Sequence, residues 1–232
     1  GALLTKEKID QLIDIGIKRL NISLDTLVPE KFKSITGRDE FKTVWQALMD
    51  AHAAGIYPIK INTGAMKGVN DDELADRARL TLEYPFHVRF IEYMPMGVSD
   101  VQDKAPLLTD EIQARIESQL GTLEPVKRRT NDGPAKKFRP KGAKGEIGFI
   151  TPVSSHFCAE CNRLRLTSIG TLRPCLLNNY EKDILGPLRS HATDDELKEI
   201  IRSSLKKKPD FHGLSNRTPK DIPISHMTSI GG

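Results

Sequence analysis

The three cysteines are the residues of this sequence with the clearest capacity for chemistry. Cys158 and Cys161 form a Cys-x-x-Cys pair, and Cys175 closes a window of eighteen residues. An odd number of clustered cysteines is not typical of a secreted disulfide framework. The spacing therefore predicts a metal site.

Two kinds of metal site remain open for these thiols. A zinc site needs a fourth ligand, which His156 or His191 could supply in tetrahedral Cys₃His geometry. An iron–sulfur cluster held by three thiolates would keep one iron open, and that iron could act as a Lewis acid on a substrate atom. Three buried cysteines without any metal are the alternative.

Arg163 and Arg165 follow the Cys-x-x-Cys pair directly. They are two residues apart on a predicted strand, 163–167, so both guanidinium groups should lie on one face beside the cysteines. Such a pair suits bidentate capture of phosphate or carboxylate oxygens. A solvated strand face is the alternative.

The residues before position 97 must supply the scaffold. Predicted strands at 19–25, 59–63 and 88–93 alternate apolar and polar side chains, and helical stretches of about a dozen residues separate them. This order predicts a parallel sheet with right-handed crossovers, doubly wound or curled into a barrel. Lys60 and Arg89 lie on the polar faces, where they would either meet a bound anion or form outward salt bridges.

Three such units would leave parallel edges open, so we expect further strands before residue 1. After residue 97 a smaller region is predicted, with a helix over 110–120, antiparallel strands at 147–150 and 163–167, and a helix opened by a capping box at Thr193. The predicted domains are 1–96 and 97–232. The Gly231-Gly232 tail either frays or threads into a narrow site.

Composition excludes several classes of protein. The net charge of +4 is local, because residues 127–144 hold eight Lys/Arg and one Asp, which leaves 27 basic and 30 acidic residues elsewhere. A nucleic-acid-binding face is therefore not expected. No run approaches the ~20 apolar residues of a membrane span, and residues 1–6 lack the features of a signal peptide, so we expect a cytoplasmic protein.

Several ordered motifs carry a family resemblance across nearly the whole chain. With them, the sequence resembles the GTP 3′,8-cyclase family, the radical S-adenosylmethionine (SAM) enzymes of molybdenum cofactor biosynthesis. The motifs are Asn21–Asp25, Ile35–Gly37, Met66–Asp71, Arg89–Pro95, Gly148–Val153, Phe157–Leu166 and the terminal Gly-Gly.

The resemblance implies a partial, six-stranded (β/α) barrel that is followed by a smaller α+β region with a substrate-side 4Fe–4S cluster. It implies that the cluster ligands are Cys158, Cys161 and Cys175. The implied GTP-binding residues are Lys60, Arg89, Arg163 and Arg165, of which the last two are also catalytic. The implied SAM contacts are Ser23 and Met94, and the implied catalytic tail that reaches the active site is Gly231 and Gly232.

One departure from the family is large. The Cys-x-x-x-Cys-x-x-Cys motif, whose cluster cleaves SAM to the 5′-deoxyadenosyl radical, does not occur in this sequence. We therefore expect that the first three strands, the radical-generating cluster and part of the SAM site are missing, and that the chain alone is inactive.

The function that the resemblance implies belongs to the intact enzyme. It would abstract the ribose 3′ hydrogen of GTP, and the carbon radical would attack C8 of guanine, giving (8S)-3′,8-cyclo-7,8-dihydroguanosine 5′-triphosphate. The implied partners are GTP, SAM, an electron donor and the cyclic pyranopterin-forming enzyme of the next step. The oligomeric state is left open, and a homodimer is one of the alternatives. The alternative function is a non-enzymatic, zinc-stabilised module whose basic loop binds an anionic partner.

Overall fold

The computed structural model describes residues 1–94, 106–127, 133–155 and 158–211. These residues divide into two compact units. The first holds residues 1–93 with the described part of 106–154, and the second holds Met94 with the described part of 155–211. The domains that the sequence predicts, 1–96 and 97–232, are a different division of the chain, and they stay a prediction.

The first unit is a mixed α/β structure built on one sheet. Its six strands are ordered β1-β2-β3-β6-β5-β4; β1, β2, β3 and β6 pair in parallel, and β6, β5 and β4 pair antiparallel. The strands are β1 Leu20–Ser23, β2 Ile59–Ala65, β3 His87–Glu92, β4 Glu124–Pro125, β5 Lys136–Arg139 and β6 Glu146–Ile150. The helices are α1 Lys6–Asp14, α2 Pro29–Thr36, α3 Phe41–Ala53, α4 Leu74–Glu83 and α5 Thr109–Leu120.

Alternation along the parallel strands separates a buried face from a polar one. In β2 every second residue from Ile59 is buried, and β3 shows the same period. Ile22, Ile61, Phe90 and Phe149 belong to one apolar core with residues of α3 and α4. The helices named in this core pack on the buried face of the strands, and the alternating polar side chains lie on the other face.

Strand β6 differs from the sequence expectation. The run 147–150 was predicted as an antiparallel strand of the smaller region, and its pairing with β5 fits that. Its other edge pairs in parallel with β3, however, so it is the fourth parallel strand of the first unit. Gly145 permits this approach, because a Cβ there would overlap the carbonyl oxygen of Phe86.

The second unit has a separate antiparallel sheet of three short strands. These are β7 Arg165–Leu166, β8 Thr171–Arg173 and β9 Lys182–Asp183, followed by helices α6 Leu185–Arg189 and α7 Asp194–Lys206. The capping box that the sequence predicts at the start of α7 is confirmed: Thr193 Oγ1 accepts from the Glu196 N–H, and the Glu196 carboxylate accepts from the Thr193 N–H. Across the described ranges, no helix combines the length and apolarity that a bilayer crossing requires.

Candidate active site

A polar row crosses the parallel sheet of the first unit. The pairing register places Ser23 of β1 opposite Asn62 of β2, and Asn62 opposite Arg89 of β3. On the next strand, Gly148 is opposite Arg89. Because strand neighbours in register share a face, Ser23, Asn62 and Arg89 present their side chains side by side.

Lys60 lies in the adjacent row, nearer the start of the strands. It is opposite Asn21 on one side and His87 on the other. Arg89 Nη1 lies 3.5 Å from Asn21 Oδ1, which links the two rows. The structure therefore brings Lys60, Arg89 and Ser23 onto one face, although the sequence alone left outward salt bridges open.

The electrostatics of this face favour an anion. Burial lowers the pKa of His87, and the neighbouring cations Lys137, Lys60 and Arg89 lower it further, while the Glu146 carboxylate acts in the opposite direction. Lys137 forms an ion pair with the Glu146 carboxylate at 2.7 Å, so Lys60 and Arg89 are the cations that this face offers to a ligand. A phosphate group is a suitable ligand for such a surface.

Gly148 makes room for the Arg89 side chain. A Cβ at position 148 would lie 3.3 Å from Arg89 Cγ and 3.3 Å from Ala135 Cβ. The aliphatic part of Arg89 thus passes directly over the glycine. A larger residue at this position would push the guanidinium away from the polar row.

The strand ends after Ser23 are tied together by buried side chains that sequence reasoning missed. Asn70 Nδ2 donates to the carbonyl oxygens of Asp25 and Gly64, at 2.7 and 2.8 Å. Arg77, which is only 1% exposed, donates to the same Asp25 carbonyl. Because the segment that follows β1 and the end of β2 share these donors, the end of β1 at Ser23 is restrained.

Glu92 is a second buried anchor that no sequence pattern indicated. Its carboxylate accepts backbone N–H bonds from Thr109, Val153 and Ser154, at 2.9, 3.0 and 2.8 Å, and it also accepts the Ser154 hydroxyl. Burial opposes ionisation, but these donors, led by Ser154, hold the pKa of Glu92 below its usual value. Three chain segments of the first unit therefore meet on one carboxylate.

The cysteines lie in the second unit. Cys158 begins a 3-10 turn, Cys158–Glu160, and its carbonyl accepts the Cys161 N–H at 3.1 Å. Cys175 comes two residues after β8 and packs against buried Leu177, as does Met94. The predicted SAM contact Met94 thus shares an apolar cluster with one predicted cluster ligand.

The Cys161 thiol is prepared for ionisation. Burial raises its pKa, but the Arg163 backbone N–H and the Lys208 ammonium outweigh burial and hold the pKa below its usual value. The thiolate is the form that binds metals. The surroundings of Cys161 therefore favour the form of its side chain that can bind a metal.

The structure corrects the placement of Arg163. Strand β7 is only Arg165–Leu166, so Arg163 lies before it and the two arginines are not neighbours on one strand face. Competing hydrogen bonds explain the short strand: the Lys208 ammonium binds the carbonyl of Arg163 at 3.0 Å, which takes this residue out of the ladder.

Charge nevertheless gathers around Arg165. It is opposite Arg173 in the β7–β8 pair. Burial lowers the pKa of Arg165 and the nearby Arg163 guanidinium lowers it further, while Cys161 and Cys175 act in the opposite direction. Three guanidinium groups therefore lie in the neighbourhood of two thiols, and the Glu181 carboxylate, 3.0 Å from Arg173 Nη1, neutralises one of them. Such a cationic neighbourhood suits an anionic ligand.

The fit of these residues to a metal or cluster depends on their distances and on their donor atoms. In the ranges that the structure describes, no three His, Cys, Asp or Glu side chains approach closely enough to hold a metal ion. The chemistry of the donors itself fits an iron–sulfur cluster, because thiols are soft ligands: Cys161 and Cys175 both act on the Arg165 guanidinium, and Cys175 also packs against apolar Leu177.

Not every predicted residue can be placed. His191, one candidate for a zinc ligand, is exposed and has a left-handed backbone, with φ at 60°. The other candidate, His156, and the tail residues Gly231 and Gly232 lie outside the described residues.

Comparison with known proteins agrees with this chemistry. Residues 1–81 match the Radical SAM superfamily, and residues 86–214 match the family Molybdenum Cofactor Synthesis C. The two matches together define the class: a radical SAM enzyme of molybdenum cofactor biosynthesis.

Individual relatives narrow the class further. The chain is 46% identical to GTP 3′,8-cyclase of Moorella thermoacetica over 223 residues, which is 95% of this chain and 67% of the relative. It is 42% identical to the GTP 3′,8-cyclases of Thermodesulfovibrio yellowstonii and Desulforamulus reducens over 100% of its length, covering 70% and 71% of theirs. The chain belongs to the GTP 3′,8-cyclase family.

These matches confirm the resemblance, the enzyme class and the biosynthetic role that the sequence motifs implied. The alternative of a non-enzymatic zinc-stabilised module finds no support in them.

Proposed function

We propose that this chain supplies the GTP-binding residues and the substrate-side cluster ligands of a GTP 3′,8-cyclase. The complete enzyme converts GTP into (8S)-3′,8-cyclo-7,8-dihydroguanosine 5′-triphosphate. The observation that carries the proposal is the neighbourhood of Arg165, where Arg163 and Arg173 gather beside the thiols of Cys161 and Cys175. Such a group of cations and soft ligands suits an anionic nucleotide beside a metal cluster.

Cys158, Cys161 and Cys175 hold a 4Fe–4S cluster in this proposal. When bound, the cluster supplies a Lewis-acid site, because three thiolates leave one iron without a protein ligand. The lowered pKa of the Cys161 thiol and the apolar contact of Cys175 with Leu177 support these assignments.

The polar face of the first sheet binds the triphosphate. Lys60 and Arg89 provide the charge. Ser23, which shares its row with Arg89, is one SAM contact in this proposal, and Met94 of the second unit is another. The sheet forms part of a six-stranded (β/α) barrel, and the parallel order of β1, β2, β3 and β6 and the helices packed on their buried face support that proposal. The Gly231-Gly232 tail reaches the active site as a segment without bulky side chains.

The protein's own contribution to the reaction is orientation. Arg163 and Arg165 hold GTP so that ribose C3′ and guanine C8 lie within reach of each other, which lowers the entropic part of the barrier. The complete protein also requires the Cys-x-x-x-Cys-x-x-Cys motif that this sequence does not contain. An electron donor and the enzyme that consumes the cyclised nucleotide are the further proposed partners; a homodimer and a cytoplasmic location stay predictions.

Metal analysis tests the proposal most directly. The complete protein is purified anaerobically and reconstituted, with any cluster-binding cysteines outside this chain replaced by alanine. We expect about four irons and four sulfides per chain. We also expect an electron paramagnetic resonance signal in the reduced protein that changes when GTP is added. Cys175→Ser should lose the signal, and Ser168→Ala, an exposed position of the same unit, should keep it. Stoichiometric zinc without a cluster signal would overturn the proposal.

A further inference from the structure

Lys208 is held at a defined place in the second unit. It comes two residues after α7, and its backbone N–H donates to the Leu205 carbonyl at 3.0 Å, which continues the last turn of the helix. The helix begins at the Thr193 capping box. Because both helix ends are satisfied, the start of the Lys208 side chain is fixed relative to α7.

The Lys208 ammonium binds the turn that carries the first two cysteines. Nζ donates to the carbonyl oxygens of Cys161 and Arg163, the latter at 3.0 Å, and lies 3.4 Å from Cys161 Sγ. An ammonium has three N–H donors, so these three acceptors match its full capacity. Neighbouring Lys206 and Lys207 are exposed, whereas Lys208 is partly buried.

The three acceptors of this ammonium differ in kind. Two are backbone carbonyl oxygens of the turn, and the third is the sulfur of Cys161, a proposed cluster ligand. Hydrogen bonds from a charged donor are stronger than those from a neutral one. Lys208 therefore joins the backbone of the turn to the sulfur of this ligand.

We infer that Lys208 is a positioning residue for the substrate-side cluster: it holds the Cys161–Arg163 turn and donates an N–H···S hydrogen bond to the Cys161 ligand. This inference rests on the proposed function, since it presumes the cluster on these cysteines. Hydrogen bonds to ligand sulfurs raise the reduction potential of iron–sulfur clusters, and partners of metal ligands strengthen metal retention. Lys208 thereby links α7 to both the cluster and the backbone of Arg163.

Substitution by methionine separates the hydrogen bond from the packing. Lys208→Met keeps an unbranched side chain but removes every donor, Lys208→Arg keeps charge and donors, and Lys207→Met is the matched control at an exposed lysine. Each is made in the complete protein, with cluster-binding cysteines outside this chain replaced. The measurements are the rate of iron loss to a chelator and the midpoint potential of the remaining cluster.

We expect Lys208→Met to lose iron about tenfold to a hundredfold faster. We also expect a more negative midpoint potential, because the reduced cluster loses a cationic donor. Lys208→Arg should restore most of both properties, and Lys207→Met should match the parent protein. If Lys208 only stabilised the fold, its substitution would not change the midpoint potential of the clusters that remain in the protein.

The outcomes separate this inference from the proposed function. If the parent protein holds no cluster, both are wrong. If the parent holds four irons and Lys208→Met has the same iron-loss rate and potential, only the inference is overturned. Equal losses in Lys208→Met and Lys208→Arg would also overturn it, because a donor would then not be the relevant property.

Discussion

Arg163 and Arg165 have different surroundings and should both contribute to GTP binding. Arg163 is exposed before β7, whereas Arg165 is partly buried opposite Arg173. Replacing either by alanine removes charged hydrogen bonds to the nucleotide, so we expect GTP affinity to fall about tenfold to a hundredfold. Iron content should not change. Lysine should restore little, because an ammonium lacks the planar fork of donors.

Anaerobic calorimetric titration with GTP measures this loss in the complete protein. The matched control is Arg189→Ala, since Arg189 is an exposed arginine in α6 of the same unit. If Arg163→Ala and Arg165→Ala bind GTP as tightly as the control does, the arginines do not hold the nucleotide.

Glu92 should make stability depend on pH. Its pKa is lowered by the Ser154, Thr109 and Val153 donors, so its contribution to stability is present above the ordinary glutamate pKa and is lost as pH falls through the folded pKa. We expect Glu92→Gln to cost about 1–3 kcal/mol at neutral pH, because buried N–H groups lose a charged acceptor.

Urea unfolding between about pH 7 and about pH 2 tests this linkage. The parent protein should lose stability more steeply than Glu92→Gln as pH falls below about 4.3, the usual glutamate pKa. Glu83→Gln, at an exposed site at the end of α4, should retain the parent slope. Parallel pH profiles of the parent and Glu92→Gln would show that Glu92 is not the responsible group.

Residue types alone pointed to the cysteines and arginines, since few side chains bind metals or phosphates and their spacing is visible in one dimension. The partners of those residues were not visible. Lys208 is 47 positions from Cys161 in the chain, and Glu92 is 61 from Val153. Only folding brings such residues together, so no local pattern marked them.

At the scale of elements, Gly145 controls how β6 joins the sheet. A Cβ there would overlap the Phe86 carbonyl oxygen, which accepts the Glu146 N–H at 3.0 Å. Gly145→Ala should therefore push β6 away from β3 and destabilise the first unit by about 1–3 kcal/mol. The melting temperature measures this effect.

Lys141→Ala is the control for this substitution, because Lys141 is an exposed residue of the same connection. A melting temperature for Gly145→Ala equal to that of the control would mean that the β3–β6 edge tolerates displacement.

Elements with strong local signals were predicted well. Helix α5 ends at Leu120, as expected, and Gly121 follows with φ at 78°. Helix α2 was not predicted, since it has only eight residues and buries only Phe32. The parallel edge of β6 was also missed, because a strand's pattern of side chains does not reveal which neighbour it pairs with.

At the scale of the whole molecule, sequence similarity and contacts divide the chain differently. The Radical SAM match ends at residue 81, and the Molybdenum Cofactor Synthesis C match begins at residue 86. Strands β3 and β6 fall in the second match, yet both pair within the sheet of the first unit. A family boundary therefore passes through one sheet, because parallel pairing joins residues that are far apart in the chain.

The sequence by itself determined the ligand types, the alternation of the strands, the helix caps and the family. These properties depend on residue identity and on spacings within a few turns or strands. The tertiary structure decided the rest: that Ser23, Asn62 and Arg89 form one row, that Arg163 leaves its strand, and that Lys208 binds the cysteine turn. Such contacts depend on which distant segments share a hydrogen bond or a buried surface, and only the folded chain makes that choice.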